Sequence, residues 1–257
     1  MNDLVNLLQP ITLEEMDGVK LMNRIDTKYV TTQTRLEDIL RDAAAHGYRI
    51  LVVDGSPVSS YDSVYFDTAG LKMFADHHNR RLVRQKVRTR AYLNSGDAFL
   101  EIKRKNNKGR TKKKRCPIPM GELPDFRSDA TAAAYLAGHS AFTAEQLSPV
   151  LETIFRRMTL VNREMTERLT IDSRLSFKNR RTGSEASLGP AVIIELKQDG
   201  HASSEMKDIL LEHRVKPLRV SKYCIGVTIT DPSAKHNRFK RNVRSIEKIT
   251  NKKIASL

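Results

Sequence analysis

Hydrophobic and polar residues alternate along much of this chain, and the alternation predicts strands more often than helices. The clearest case is Leu82–Lys105, LVRQKVRTRAYLNSGDAFLEIKRK, which reads as two strands joined by a turn at Asn94–Asp97. Arg84, Lys86, Arg88 and Arg90 take alternate positions in the first strand, and Glu101, Lys103 and Lys105 do so in the second. Successive strand side chains point to opposite faces. Each strand therefore has a charged face and an apolar one, the latter carrying Val83, Val87 and Ala91, then Leu100 and Ile102. The two-sided pattern recurs at Arg24–Thr31, Arg157–Met165, Thr166–Asp172 and Ala191–Lys197. Tyr48–Val53, Tyr61–Asp67, Val150–Arg156 and Arg174–Arg180 read as further strands. The basic run Arg110–Pro119 reads as another, confined by Pro117 and Pro119 to an edge or a strand end.

A helical period appears in fewer places. Leu36, Ile39, Leu40 and Ala43 predict a helix over Arg35–His46, capped by Thr34 and stopped by Gly47. Further helices are expected near Leu13–Met22, over Gly70–Asn79, within the Ala-rich stretch Asp125–Ser148, from Ser203 or Ser204 to His213, and over Ser221–Ile229. Gly183–Pro190 reads as a loop, and His77-His78 as exposed helix. Lys235–Lys253 is a basic stretch, loose or helical, with Glu247 its only acid.

Strands with one charged face, accompanied by helices that can cover the other, predict an α+β fold. Its core is a closed antiparallel β-barrel with a charged interior and helices packed outside. Closing the sheet removes unpaired edges. Buried cations are costly unless compensated. The few glutamates available cannot balance so many, so a polyanionic ligand is expected inside. The formal net charge of +15 over 257 residues points the same way. Arginine suits phosphate because its planar fork grips two oxygens. Glu101 and Glu195 each stand in a Glu-x-Lys arrangement. A carboxylate beside phosphate-binding cations suits Mg²⁺ or Mn²⁺, although cross-strand ion pairs produce the same spacing.

Other classes are disfavoured. The chain contains no GxxxxGK[ST], HExxH or GxSxG motif. It shows neither a signal-peptide pattern nor a stretch of about 18 apolar residues, so a cytoplasmic protein without membrane insertion is expected. Cys116 and Cys224 have no metal-type spacing; pairing stays open, and reduced thiols are the simpler reading. Nucleic acid as partner is disfavoured because the basic strands carry few aromatic residues for base stacking.

Taken in order, RIDTKYV (24–30), YFDT (65–68), VRTRAY (87–92), FLEIKRK (99–105), KKKR (112–115), REMTERLTID (163–172), VIIELK (192–197) and SKYCIG (221–226) form a set. This set resembles the VTC domain, the polyphosphate polymerase module of the vacuolar transporter chaperone complex, in the CYTH/triphosphate tunnel metalloenzyme superfamily. The sequence shows no SPX segment or membrane helices, so the resemblance is to a stand-alone bacterial type. It implies a lead-in at 1–22, a tunnel domain at 23–230 and a basic tail at 231–257. It implies a phosphotransferase that moves the γ-phosphate of ATP onto a growing polyphosphate chain. Lys28, Arg88, Arg90, Lys103 and Lys222 are the implied catalytic cations. Arg24, Arg163, Arg168, Lys197 and either Lys113 or Lys114, here taken as Lys114, would bind substrate phosphate. Glu195 is the implied main ligand of Mn²⁺ or Mg²⁺, with Glu101 assisting or pairing with a cation. A triphosphatase of the same fold and a non-catalytic polyphosphate- or nucleotide-binding module are the alternatives.

Overall fold

A computed structural model describes residues 5–16, 24–200 and 203–255. Strand β1 (Gln9–Ile11) leads to helix α1 (Leu13–Met16), β2 (Arg24–Thr32), α2 (Gln33–Ala45), β3 (Arg49–Leu51), β4 (Ser59–Asp67) and α3 (Lys72–His78). Next come β5 (Arg84–Tyr92), β6 (Asp97–Lys105), β7 (Thr111–Ile118) and α4 (Ala130–His139). The two longest strands, β8 (Ser148–Val161) and β9 (Glu167–Asn179), precede β10 (Glu185–Ser187) and β11 (Ala191–Asp199). Helices α5 (Glu205–Glu212), α6 (Lys222–Thr230) and α7 (Asn237–Thr250) follow.

The eleven strands form one sheet whose main path is β2-β11-β9-β8-β4-β5-β6-β7. Neighbours on this path are antiparallel, whereas the short β1 pairs with β3 in parallel. The fold is α+β, with α2, α4 and α5 outside the sheet, as the alternation predicts. The closure differs in kind: among the described residues no backbone pairing joins the end strands β2 and β7. Instead the sheet curls until side chains from both ends, Lys28 of β2 and Lys113 of β7 among them, line one cavity.

Two apolar clusters lie between the sheet's outer face and its helices. Leu36, Ile39 and Leu40 of α2, with Ile209 and Leu210 of α5, cover Leu169, Ile171, Ile194 and Leu196. Leu136 of α4, with Phe126, covers Val87, Ala91, Leu100 and Ile102 of the opening hairpin. The third cluster is not outside. Val30, Phe155, Phe177 and Ile193 pack against Tyr223, Ile225 and Val227 of α6. Val30 shares its strand face with Lys28, and Ile193 shares its face with Glu195. The inner face is therefore charged over only part of its length, and α6 fills the apolar remainder.

Several boundaries shift. β8 and β9 each read in sequence as two strands. The register between them slips between Ile154 and Arg156, and Arg174 takes a left-handed φ of 52°, so the period of two breaks inside continuous strands. Thr32, rather than Thr34, caps α2, accepting from the Arg35 N–H. Within Asp125–Ser148 only Ala130–His139 is α-helical, started by the Asp129 side chain. The Gly183–Pro190 loop contains β10. His78 is buried rather than exposed and packs on Phe239 of α7, whose Val243 and Ile246 are also buried. The helix expected near Leu13–Met22 is seen as Leu13–Met16, its remainder lying outside the described residues. Both cysteines are free and buried. Among the described residues no helix is long and apolar enough to cross a membrane.

Candidate functional site

The inward-facing charged residues meet in one cavity of about 340 Å³. Its lining holds eleven cationic side chains against four carboxylates, Asp26, Glu101, Asp172 and Glu195. Strand register explains the convergence. Lys28 lies opposite Glu195, Lys197 opposite Arg168, and Arg88 opposite Glu101. Alternate residues from eight neighbouring strands thus point into the same space.

Each buried carboxylate is held by two cations. Glu101 accepts from Arg88 Nε at 2.7 Å and pairs with Lys113. Asp172 takes the Arg157 fork at 2.6 and 2.9 Å and pairs with Lys222. Glu195 takes Lys28 at 2.8 Å and Lys197 at 3.2 Å on its two oxygens. Asp26, nearer the rim, pairs with Arg24 at 2.6 Å. Burial alone would raise all three deep carboxylates. The adjacent cations win and hold Glu101, Asp172 and Glu195 well below the usual carboxylate range.

Among the described residues, Lys86, Arg90, Lys103 and Arg168 line the cavity without an ion pair. Arg90 is only 5% exposed and donates to Ser63 Oγ at 3.1 Å. Its guanidinium lies 5.2 Å from the Tyr61 ring centroid and 5.6 Å from that of Phe155. Burial and the neighbouring Arg88 push Arg90 down to about 10, which leaves it charged at neutral pH. The buried Arg168 Nε has no hydrogen-bond partner. Burial also pushes Lys197 down to about 8, against the pull of Glu195. The opposite happens at Tyr65, whose hydroxyl accepts from Arg88 at 3.1 Å. Burial would raise this phenol, but Arg88, Arg90, Lys222 and Lys86 pull it down to about 8. The lumen is a strongly positive field with vacant donors.

Helix α6 places one of the cations. Ser221 caps it by accepting from Cys224 N–H, which leaves Lys222 at the first helical position, over the Phe155 ring at 4.6 Å. The next residue fixes the helix: Tyr223 donates to Asp67 at 2.6 Å. Asp67, fully buried, also accepts from the Met73 and Phe74 N–H groups at 2.8 Å and so ties α3 and α6 to β4. Gly226 lets the helix approach the sheet: a Cβ there would meet Leu151 and lie 2.6 Å from Phe177.

Most of the residues expected from sequence come together. Lys28, Arg88, Arg90, Lys103 and Lys222, with Arg24, Arg168, Lys197, Glu101 and Glu195, all line the cavity. Two do not. Lys114 pairs in register with the outward-facing Ile102 and lies on the outer face, whereas Lys113 points inward to Glu101. In a run of four basic residues alternation cannot choose the face, and only the strand pairing does. Arg163 falls in the β8–β9 turn, exposed, with its side chain 4.0 Å from where a Cβ on Gly47 would lie. Arg157 and Tyr65 also line the cavity, although neither is among the residues expected in the site. Arg157 shares its inward face with Phe155, a signal masked by splitting β8 at that point.

A divalent metal can be tested against this donor set. No group of three or more His, Cys, Asp or Glu side chains among the described residues could hold an ion. Mg²⁺ and Mn²⁺ need none when phosphate oxygens complete the shell, because one or two carboxylates then suffice. The donors here are carboxylate oxygens beside unpaired phosphate-type donors, which fits that mode of binding.

The VTC domain family model matches residues 23–230. Among solved structures, a candidate adenylate cyclase from Bacillus halodurans is similar with a TM-score of 0.50 at 14% identity, over 78% of this chain and 96% of that one. The adenylyl cyclase-like HpAC1 of Hippeastrum, described as having a dominant triphosphatase activity, matches with a TM-score of 0.48 at 14% identity, over 80% and 95%. The Pyrococcus horikoshii protein PH1819 matches at 0.43 and 11% identity, over 78% and 97%. No match was found among curated proteins. At such identities the first likeness speaks for the fold. The family match spans most of the chain, and the cavity supplies the geometry behind its motifs. The chain belongs to the VTC domain family.

Proposed function

We propose that the tunnel binds a nucleoside triphosphate, ATP in the first instance, and a polyphosphate chain, and transfers the γ-phosphate from one to the other. The supporting observation is the set of vacant cations: Lys86, Arg90, Lys103 and Arg168 face the cavity without a carboxylate to neutralise them. A ligand with many phosphate oxygens supplies what they lack.

In the transfer, a terminal polyphosphate oxygen attacks the γ-phosphorus. The bond from that phosphorus to the β-bridging oxygen breaks, and the nucleoside diphosphate leaves. Phosphoryl transfer needs positioning and charge neutralisation more than a covalent nucleophile. Arg88, Arg90, Lys28, Lys103 and Lys222 are the proposed grips. They come from three strands and a helix and would surround the phosphates from several sides. Arg24, Arg168 and Lys197 extend the contact toward the rim. Glu195 is the proposed carboxylate for Mg²⁺ or Mn²⁺ shared with phosphate oxygens, and such an ion would neutralise charge on the transferring group. Glu101, held by Arg88 and Lys113, is better placed to orient Arg88 than to take a metal.

The test is incubation of the purified protein with ATP and either ion, followed by gel analysis of the product. Long polyphosphate is expected. Orthophosphate alone would convert the reading to a triphosphatase, and no product with retained ATP binding would leave a binding module. Glu195→Gln is expected to abolish metal-dependent turnover while keeping triphosphate binding within a few-fold. Wild-type turnover in that variant would remove Glu195 from the site.

A further inference from the structure

One end of the molecule carries charge that the tunnel does not use. Arg84 at the start of β5 lies opposite Lys105 at the end of β6, so the α3–β5 loop and the β6–β7 turn are neighbours. Residues 106–115 are exposed at every position. From Ile102 to Gly121 the sequence holds nine Lys or Arg residues and no acid. On the outer face Arg104 and Lys112 are register partners. Together with Arg110 they rim a groove of about 710 Å³ that also takes apolar lining from Val83, Ile102 and Phe142. The carboxylate in this groove, Asp76, is tied to Lys72 at 2.6 Å. Among the described residues Arg110 and Lys112 make no ion pair.

Beside the groove, the loop reads Arg80-Arg81-Leu82-Val83-Arg84, with Leu82 60% and Val83 63% exposed. A single exposed aliphatic residue means little. Two in succession, flanked by arginines and bordering a cationic groove with apolar lining, make an amphipathic surface. We propose that this face docks on an anionic phospholipid bilayer. Leu82 and Val83 enter the interfacial layer, while Arg104, Arg110 and Lys112 hold headgroup phosphates. Charge complementarity selects an anionic partner, since each basic residue near such a surface adds attraction that fades within a Debye length. The aliphatic pair selects lipid among anionic partners. A soluble polyanion would use the cations and gain nothing from Leu82 and Val83, whereas interfacial binding scales with the apolar area inserted. The docking is peripheral and leaves the tunnel residues free.

The experiment is co-sedimentation of the full chain with vesicles of phosphatidylcholine alone or with about one-third phosphatidylglycerol. Three proteins are compared: wild type, Leu82→Ser/Val83→Ser, and Arg104→Glu/Lys112→Glu. Wild type is expected to partition onto the anionic vesicles and not the neutral ones. The serine pair is expected to weaken partitioning roughly tenfold, and the glutamate pair to abolish it. Both variants should retain wild-type melting temperature and tripolyphosphate binding. Equal partitioning of wild type and the serine variant would overturn the proposal by reducing it to charge adhesion. So would binding to neutral vesicles, or a preference for soluble polyphosphate or nucleic acid that the glutamate pair removes and the serine pair leaves intact.

Discussion

Charge placement is decided residue by residue in the tunnel, and two kinds of cation result. Arg157 and Lys222 are committed to Asp172, whereas Arg90 and Arg168 have no carboxylate. Arg90→Met or Arg168→Met is therefore expected to cost about 2 kcal/mol of tripolyphosphate binding, roughly a 30-fold rise in Kd. Calorimetric titration measures this, and the melting temperature should not fall. Asp172→Asn belongs to the other kind. It strands two buried cations and is expected to destabilise by about 3 kcal/mol at neutral pH. Its folded pKa is lowered, so its stabilisation is complete above the unfolded carboxylate value of about 4 and is lost as pH falls toward the folded one. The gap in melting temperature between variant and wild type should narrow below about pH 4. Binding has a second pH dependence. Lys197 loses its proton and Tyr65 gains negative charge near pH 8, and both changes repel phosphate. Triphosphate affinity should decline as pH rises through about 8, and less steeply in Tyr65→Phe.

Among the elements, α6 has the least tolerance. Its sequence, Ser221-Lys222-Tyr223, announces a capped helix carrying a lysine. What seats it is remote: Asp67 on β4 takes the Tyr223 hydroxyl, and Leu151 and Phe177 leave no room for a side chain at Gly226. Gly226→Ala is expected to push the helix off the sheet. Overpacking of this sort costs about 1–3 kcal/mol, a fall of roughly 2–12 °C in Tm for a chain of this size. Lys222 would lose its contact with Asp172 in the process, so phosphate affinity should fall together with stability. An alanine variant with unchanged Tm and affinity would show that the close approach is not required. The hairpin β5–β6 is the contrasting element. Both its faces were readable from alternation, because its register holds without interruption from Arg84–Lys105 to Tyr92–Asp97.

For the whole molecule the governing quantity is a formal charge of +15, concentrated toward one cavity and one outer face. Like charges crowded in the lumen oppose folding until an anion enters. Tripolyphosphate at about 100 times its Kd should add about 2.7 kcal/mol to stability, and sodium chloride of equal ionic strength should add less. Thermal melts with each salt test this. Equal shifts would mean that screening, rather than a site, accounts for the effect.

The sequence by itself determined most of the strands and their charged and apolar faces; that ten of the twelve site residues implied by the family resemblance line one cavity is a placement the fold supplies. The sequence did so because the period of two is a local property, and because a buried run of cations is too costly to occur without a purpose. Local pattern could not say where a strand is pinched. The register slip at Ile154/Arg156 hid Arg157, and the run Lys112–Arg115 concealed which lysine faces inward. Nor could it show that the inner face turns apolar where α6 enters, or that Glu101 and Glu195 already hold lysine and arginine partners. Those facts depend on which strand lies beside which, and contacts between distant segments are settled only when the sheet curls and the helices close on it.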